Sequence, residues 1–400
     1  MLTPLKIDPG HRVSGVPDQS AGPYLKEQDE MANTVDMNVR PALHAGVGAA
    51  TDSTGRLRLM RFATHTHAIF EVMPPVLTLV SALDGTRTIP EILAYVRREH
   101  PDVTLDHVNE ILSVLEAEGV LDHIQPDTYP SPLPPREQLI YERQLSFLRD
   151  FGTTQMDPHL MQHRIRQSRV AVLGMGGTGT WVAQSLAMAG VGRLRLVDAD
   201  VVEASNLSRQ VLYGTADLAR PKVEAAAAAL ISQFGDLLSV EPIAERLQPP
   251  LDDLVADCDL VVNCADEPDI NTTSQWVSES CLSARIPHQV GGGYNGHVGM
   301  IGPTIVPFST ACWTCFQRDF RRRNTDPGLT YLTAARKHRG ALAAVAAVVT
   351  NLQVWDALRV LSGCGAPLLA NRTGEIDFAQ LTLAWTDVPR DADCPSCATH

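Results

Sequence analysis

The sequence has little that would suit a membrane-spanning, secreted or nucleic-acid-binding protein. Its longest apolar run, Ala341 to Thr350, covers ten residues, too few to cross a bilayer core of about 30 Å. The N-terminus has no apolar stretch of signal-peptide length, so we expect a cytoplasmic protein with reduced cysteines. Basic residues are also scarce, since 33 Lys and Arg face 46 Asp and Glu. The net charge of −13 repels phosphate backbones and disfavours nucleic acid as the main partner.

The composition and the placement of prolines indicate a globular protein of more than one domain. Apolar residues make up 44% and charged residues 20% of the 400 residues, and about 100–200 residues form one domain. We expect a poorly ordered lead-in (1–37) and a small unit (38–124), in which two strand candidates at 57–72 precede three helices. A proline-rich linker (125–135) then leads to a second domain (136–400).

From Ser168 onward, apolar strands and helices alternate. This pattern predicts an α/β fold with a doubly wound, mostly parallel sheet of the Rossmann type. The segment GMGGTG joins the first strand to a helix, where free N–H groups favour an anion. Its glycines permit a tight turn, close approach to a phosphate and close helix packing: Gly174, Gly176, Gly177 and Gly179. Asp198, at the end of the next strand, suits a ribose hydroxyl. On these features alone, a dinucleotide-dependent dehydrogenase is an equally good interpretation.

The segment after Asp198 carries more cations than a ribose-anchored dinucleotide needs. Four polar side chains are candidates for phosphate binding: Asn206, Arg209, Gln210 and Lys222. Arginine offers a planar fork to phosphate oxygens, and lysine a point charge. Asp266 ends the strand DLVVNCAD, at the edge of a parallel sheet where sites form. A carboxylate there suits Mg²⁺, which proteins hold through one or two acids together with phosphates. The joint pattern predicts an Mg·ATP site.

Two C-x₂-C pairs predict a structural zinc site. Cys312 and Cys315 form the first pair, and Cys394 and Cys397 form the second. Four thiolates in two knuckles match a tetrahedral Zn²⁺ site, and the remaining interpretation is a redox-active C-x₂-C. The other cysteines in strands and helices are expected to be small core residues: Cys258, Cys264 and Cys281.

In combination, GMGGTG, VDADVVEASNLSRQ, RPK and CAD resemble the ThiF/MoeB adenylating family, which shares its fold with ubiquitin-activating enzymes. The resemblance covers about residues 143–400 and implies a nucleotidyltransferase that uses ATP and Mg²⁺. It implies that Asp198 binds the ribose and that Asp266 binds the metal. The residues matching the family's phosphate ligands are Asn206, Arg209 and Lys222.

The same resemblance implies a homodimer and a zinc-bearing pair of knuckles. Arg143, in YERQLSF, matches a family arginine that reaches the phosphates of the second subunit. One departure is that Glu267 and Pro268 follow Asp266 where the family commonly has Asn. Relatives that form a thioester keep a cysteine after the first knuckle, whereas 316–363 contains none. We therefore expect the reaction to stop at an acyl-adenylate or to pass it to a nucleophile of the substrate.

The segment QVGGGYNGHVGMIGPTIVP is more similar to the microcin C-type peptide adenylyltransferases than to MoeB. Residues 38–124 are similar to PqqD-like, winged-helix-like domains that bind leader peptides. Both resemblances imply that the enzyme activates a carboxylate of a ribosomally made precursor peptide as acyl-AMP, in the biosynthesis of a modified-peptide natural product. An exposed strand edge beside a helix could accept such a peptide by strand addition.

Two other functions stay open at this point. The enzyme could adenylate the C-terminal glycine of a small sulfur-carrier protein in a thiamine or molybdopterin pathway. Alternatively, the chain could be a non-catalytic partner that binds leader peptides for a cyclodehydratase, which the set Asp198, Arg209, Lys222 and Asp266 disfavours. The unit 38–124 could also serve only packing or dimerisation.

Overall fold

The structure, a computed structural model, describes residues 6–7, 39–44, 46–62, 65–124, 131–151, 157–324 and 340–398. Most of the lead-in 1–37 and the linker before residue 131 lie outside the described residues. The chain divides into two compact units, Met1–Pro130 and Ser131–His400.

The first unit combines short antiparallel strands with helices. Its elements are β1 (Lys6–Ile7), β2 (Arg40–Leu43), β3 (Val47–Thr51), β4 (Leu57–Arg61), β5 (Thr66–Glu71), α1 (Pro74–Ser81), α2 (Ile89–Arg97), α3 (Leu105–Ala117) and β6 (Leu121–Ile124). One sheet has the order β1-β5-β4-β3, and β2 pairs with β6. The two strands at 57–72 and the three helices are confirmed. The sequence did not predict β2, β3 and β6, because they are short and β3 (VGAAT) consists mainly of small residues.

Alternation along β4 places Leu57 and Leu59 in the core of this unit, where they pack with Phe70 of β5 and with the helices. Helix α2 begins at a capping box, in which the Thr88 N–H donates to the Glu91 carboxylate at 2.8 Å. Helix α3 starts in the same way at Thr104. The apolar faces of the helices therefore cover one face of the sheet.

The second unit begins with three helices and continues with alternating strands and helices. Its elements are α4 (Pro135–Ile140), α5 (Glu142–Arg149), α6 (Pro158–Gln167), β7 (Arg169–Leu173), α7 (Gly179–Met188), β8 (Arg193–Val197), α8 (Lys222–Phe234), β9 (Ser239–Ile243), α9 (Asp252–Val255), β10 (Leu260–Asn263), α10 (Ile270–Ala284), β11 (His288–Gln289), β12 (Gly293–Asn295), β13 (Val298–Ile301), β14 (Thr304–Ile305), α11 (Trp313–Asn324), α12 (Ala343–Ser362), β15 (Arg372–Asp377) and β16 (Thr382–Asp387).

The main sheet of this unit has the order β14-β11-β10-β7-β8-β9. All neighbours are parallel except β14, which runs antiparallel to β11. Strand β7 lies in the middle and is buried from Val170 to Leu173, because helices cover both faces of the sheet. The chain proceeds from β7 toward β8 on one side and returns to β10 on the other, so the carboxyl end of β7 is the switch point where ligands bind in such sheets. The predicted doubly wound, mostly parallel architecture is confirmed.

Helix α12 has 20 residues, Ala343–Ser362, and contains most of the apolar run Ala341 to Thr350 together with polar residues that follow it. By length and composition alone it could cross a membrane, and 50% of its most apolar window is buried. The helix packs on α6 and α7, with Val354 and Ala357 in the same core cluster as the sheet residues. Its burial is that of a core helix.

A second sheet, of order β12-β13-β15-β16, is antiparallel throughout. The sequence did not predict it, because its strands are short and rich in glycine and polar residues, as in RTGEID of β15. Its first strand matters for function, because β12 brings Tyr294 to the glycine turn after β7.

Candidate active site and metal centre

Two glycines of the turn after β7, Gly174 and Gly179, occupy positions that admit no side chain. Gly174 has φ of +91°, and a β-carbon built on it would lie 2.6 Å from the Ala265 amide nitrogen. At Gly179, the first residue of α7, a β-carbon would overlap the Gly174 carbonyl oxygen. The turn is thereby pressed between the ends of β7 and β10. This packing confirms the close helix approach inferred for Gly179.

The two middle glycines face different surroundings. A β-carbon built on Gly176 would meet no atom within 4 Å, so this side of the turn is open. A β-carbon on Gly177 would overlap the Tyr294 hydroxyl. The open side exposes backbone next to the N-terminus of α7, where N–H groups and the helix dipole favour an anion. A phosphate could approach the turn from this side.

Asp198 fastens the turn to the end of β8. One carboxylate oxygen accepts a hydrogen bond from the Met175 N–H at 2.6 Å, and the other accepts from the Asp200 N–H at 2.8 Å. The side chain is half-buried. Because each carboxylate oxygen has two lone pairs, acceptor capacity remains for a ribose hydroxyl. The predicted ribose contact is compatible with this geometry.

The segment after β8 forms a 3₁₀ turn at Ala204–Ser208. Asn206 is buried, and its Oδ1 accepts from the Glu203 N–H at 3.0 Å, so the side chain stabilises the turn itself. Gln210 is also buried, and within the described residues its Oε1 has no hydrogen-bond partner. Within the part of the chain that the structure describes, no hydrogen bond joins either side chain to the glycine turn.

Arg209 lies beside the glycine turn. Its Cδ is 3.5 Å from the position of a β-carbon on Gly177, and its Nη1 donates to the Ser205 carbonyl at 2.8 Å. The Trp181 indole of α7 donates to the Arg209 carbonyl at 3.2 Å. The backbone of Arg209 is thus fixed to the helix that starts at the turn, which brings a guanidinium to the predicted phosphate position.

Lys222 is the first residue of α8 and is 7% exposed. Its Nζ donates to the Asp200 carboxylate at 2.8 Å. Asp200 itself is exposed and is joined to Asp198 by the backbone hydrogen bond described above. The two candidate nucleotide ligands, Asp198 and Lys222, therefore share one neighbour, which the sequence reasoning missed.

Asp266 follows β10 and is exposed. Its charge contributes to raising the pKa of Tyr294 and of Cys264, a smaller effect than the burial of those two groups, so it lies near both. Glu267 forms an ion pair with Arg246 at 2.5 Å. In the described part of the chain no basic side chain pairs with Asp266, so its carboxylate is accessible to a cation.

Tyr294 is a site residue that the sequence reasoning did not identify. Burial raises the pKa of its hydroxyl, and a hydrogen bond and the charge of Arg209 partly oppose that rise. The only signal in the sequence was the segment GGGYNG, which supported a family resemblance but gave no chemical reason to place Tyr294 in the site.

Arg143 lies on α5, where its side chain is exposed. Among the described residues it makes no hydrogen bond or ion pair, and nothing joins it to the glycine turn of its own chain. Its predicted role toward a second subunit stays a prediction.

The two cysteine pairs come together at the start of α11. The four Sγ atoms of Cys312, Cys315, Cys394 and Cys397 lie within 4.8 Å of one another, and all four residues are buried. The separation is 3.8 Å within the first pair, and 3.5 and 3.7 Å between members of the two pairs. A zinc ion with Zn–S bonds of about 2.3 Å has thiolates about 3.8 Å apart in a tetrahedron. The cluster therefore fits zinc.

The surroundings of the cluster also suit a metal. The Asp391 N–H donates to the Cys315 sulfur at 3.5 Å, a contact that would stabilise a thiolate. Burial raises the pKa of the Cys315 thiol to about 11, so the protein alone does not favour ionisation there. A bound cation would supply the missing charge. Cys258 and Cys281 are buried in the core, as predicted.

Comparisons with known proteins show which family this chain is similar to. A family model described as the ThiF family matches residues 141–399. The molybdopterin-synthase adenylyltransferase of Escherichia coli (strain K12) is 33% identical over 233 residues, which are 58% of this chain and 85% of that protein. The sulfur carrier protein ThiS adenylyltransferase of the same organism is 31% identical over 242 residues, 59% of this chain and 88% of that protein.

A solved structure is similar over more of the chain. E. coli MccB, crystallised with MccA-N7isoASN, has a TM-score of 0.69 and 20% identity, and the match covers 90% of this chain and 99% of that one. A second crystal structure, of MccB with ATP, has a TM-score of 0.66 and 21% identity, covering 89% and 99%. At this identity the likeness is one of fold.

Proposed function

The chain belongs to the ThiF family and is an ATP-dependent adenylyltransferase, and we propose that its substrate is a carboxylate of a ribosomally made precursor peptide. One observation carries the choice of substrate. The matches to the two carrier-protein adenylyltransferases cover 58% and 59% of this chain, whereas the match to MccB covers 90%. A share that large cannot come from Ser131–His400 alone, so the likeness to a protein crystallised with a peptide includes the first unit.

In the proposed reaction, an oxygen of the peptide carboxylate attacks the α-phosphorus of ATP. A new P–O bond forms, the bond between the α-phosphorus and the bridging oxygen breaks, and pyrophosphate leaves with the electron pair. No protein base is needed, because the carboxylate is already ionised near neutral pH. The residues of the chain therefore act by positioning and by stabilising charge.

We propose the following roles for the residues around the glycine turn. The open backbone around Gly176 and the N-terminus of α7 accept the phosphates, and Asp198 accepts from the ribose. Arg209 places its guanidinium beside the turn. Mg²⁺, when bound, would neutralise phosphate charge, and the accessible carboxylate of Asp266 is the residue that would hold it.

Lys222 requires an exchange of partners. In the structure its ammonium donates to Asp200, and the side chain is almost fully buried at the N-terminus of α8. The triphosphate of ATP carries several negative charges, whereas the exposed Asp200 carboxylate carries one. We propose that the phosphate takes over the ammonium and that Asp200 turns to solvent.

In the described part of the first unit, β3 offers a strand edge to a peptide. In the sheet β1-β5-β4-β3, β3 is a terminal strand of five residues, and its residues from Ala49 to Thr51 are exposed. The Phe62 ring lies against Gly48 of β3 and is 62% exposed. Strand addition would supply main-chain hydrogen bonds along β3, and Phe62 an apolar contact for a leader side chain.

The substrate is tested by ATP–pyrophosphate exchange with two candidates. We expect short synthetic peptides with a free C-terminal carboxylate to support exchange of labelled pyrophosphate, and a ThiS-type sulfur-carrier protein to give none above background. Exchange with the carrier alone would establish the alternative substrate. No exchange with either would favour a non-catalytic leader-binding partner.

The binding of a leader peptide at the edge of β3 (the docking edge) is tested on the full-length chain in a separate experiment. Phe62→Ser should weaken the binding of a fluorescently labelled leader, measured by anisotropy, while Met73→Ser, a matched change at an apolar side chain that is 48% exposed, should not. Burying a Phe side chain is worth about 1.5–3 kcal/mol, so a loss of about tenfold or more is expected. Equal affinity of the wild-type chain for a scrambled leader would contradict the docking edge.

The proposed homodimer makes Arg143 an arginine that acts in trans. Chains with Arg143→Ala and chains with Asp266→Ala are each expected to be inactive alone. In a mixed dimer, one of the two sites combines an intact Asp266 with an intact Arg143 from the other chain. Random mixing then restores about a quarter of the wild-type exchange rate. Absence of recovery in purified mixed dimers would place Arg143 outside the site or in its own chain's site.

A further inference from the structure

Tyr294 joins the second sheet to the nucleotide site. A β-carbon built on Gly177 would overlap the Tyr294 hydroxyl, so the hydroxyl lies against this glycine. The same β-carbon position is 3.5 Å from Arg209 Cδ, so the arginine side chain lies beside them. Burial raises the pKa of the Tyr294 hydroxyl, whereas the charge of Arg209 and a hydrogen bond from it act to lower that pKa, which agrees with this closeness. The phenol therefore touches both the glycine turn and the arginine predicted to contact phosphate.

Side chains of α11 and α12 pack against the backbone just before β12, the strand that carries Tyr294. At Gly291 a β-carbon would lie 2.8 Å from the Trp313 ring, and at Gly292 it would overlap the side-chain amide of Gln353 on α12. The Gln353 carbonyl also accepts from the Gln289 side-chain amide at 2.9 Å. Because the strand backbone is pressed against α11 and α12, the ring of Tyr294 has a fixed support.

The Tyr294 hydroxyl carries its proton near neutral pH, because the ordinary pKa of tyrosine is about 10. A phenolic O–H both donates and accepts, so it can donate to a phosphate oxygen while a guanidinium donates to it. The open space next to the turn, at Gly176, is where an acceptor would come.

We propose that Tyr294 is a positioning residue for the triphosphate: it holds the Arg209 guanidinium over the glycine turn and donates its own O–H to the same phosphate. This inference rests on the proposed function, because it needs ATP phosphates at the turn. In this proposal, β12 supplies a side chain that binds the phosphates, separate from the proposed ribose contact of Asp198.

The test compares Tyr294→Phe with the wild-type chain by calorimetry, using Mg·ATP and adenosine as ligands. Loss of a hydrogen bond to a charged group should weaken ATP binding about tenfold or more. Adenosine has no phosphates, and its affinity should stay unchanged. In the Arg209→Ala background, Tyr294→Phe should weaken ATP binding less than in the wild-type chain, because only the hydrogen bond from Tyr294 itself is then lost. Tyr95→Phe, a half-buried tyrosine of the first unit, is the matched control and should bind both ligands normally.

The outcomes separate this inference from the proposed function. A wild-type chain that does not bind Mg·ATP overturns both. A wild-type chain that binds ATP, with a Tyr294→Phe variant that binds it equally well, overturns only the inference. Equal weakening of ATP and adenosine would also overturn it, because the ring would then support the site as a whole without acting on phosphate.

Discussion

Asp266→Ala should abolish ATP–pyrophosphate exchange while leaving the fold intact. The carboxylate follows β10 at the switch point of the sheet, is exposed, and among the described residues has no basic partner whose loss would disturb packing. In the proposed function, this substitution removes the carboxylate that would hold Mg²⁺ against the phosphates. A metal ion supplies several kcal/mol of charge stabilisation, so we expect a fall of about a thousandfold or more.

The neighbouring carboxylate provides the matched control for this substitution. Glu267→Gln removes a charge one residue away, but that charge is already paired with Arg246, and exchange should stay near the wild-type rate. Circular dichroism and the melting temperature should be the same for both variants, because neither side chain is buried. Full exchange activity in Asp266→Ala would remove Asp266 from the site.

Cys394→Ser should remove zinc from the protein and lower its melting temperature. We expect one tightly held zinc ion per wild-type chain by elemental analysis. A structural zinc site contributes about 10–16 kcal/mol of apparent binding free energy. The four thiols join the start of α11 to the C-terminal segment, so losing one ligand should release that segment and lower the melting temperature by more than about 10 °C.

A free cysteine elsewhere in the same unit serves as the control for the zinc site. Cys364 is half-buried and lies outside the cluster, so Cys364→Ser should keep the full zinc content. Treatment of the wild-type chain with a strong chelator should reproduce the effect of Cys394→Ser. A metal-free preparation with the wild-type melting temperature would show that the cysteines pack without a metal.

The parts of the fold that the sequence predicted are those set by local pattern. Strand β7, the glycine turn and α7 follow from a buried apolar run, glycines and a helical segment that are adjacent in the chain. The thiol cluster was predictable because each C-x₂-C places two ligands side by side, and their chemistry requires two more. The strand, turn and helix depend only on residues that are neighbours in sequence. The thiol cluster depends on a second pair of the same residue type.

The parts that were missed depend on contacts between distant segments. Strand β12 has three residues, and its approach to Gly177 is decided by the packing of α11 and α12 behind it. The pairing of Lys222 with Asp200 likewise depends on how α8 meets the end of β8. The binding of phosphate by Asn206 stays a prediction; in the structure its Oδ1 completes its own 3₁₀ turn, a local contact typical of Asn.

The ion pair of Lys222 has a consequence for the product as well as for the substrate. An acyl-adenylate is a mixed anhydride, and a free primary amine beside it would attack the acyl carbon and leave the enzyme covalently blocked. An ammonium that donates to Asp200, or to the phosphate that replaces Asp200, has no lone pair with which to attack. The chain contains only four lysines, Lys6, Lys26, Lys222 and Lys337, while arginine supplies the other basic side chains. Guanidinium groups stay protonated and are poor nucleophiles. Cations of this kind let the enzyme surround a reactive ester-like product without becoming its acceptor, so that the activated carboxyl group survives until the intended nucleophile arrives.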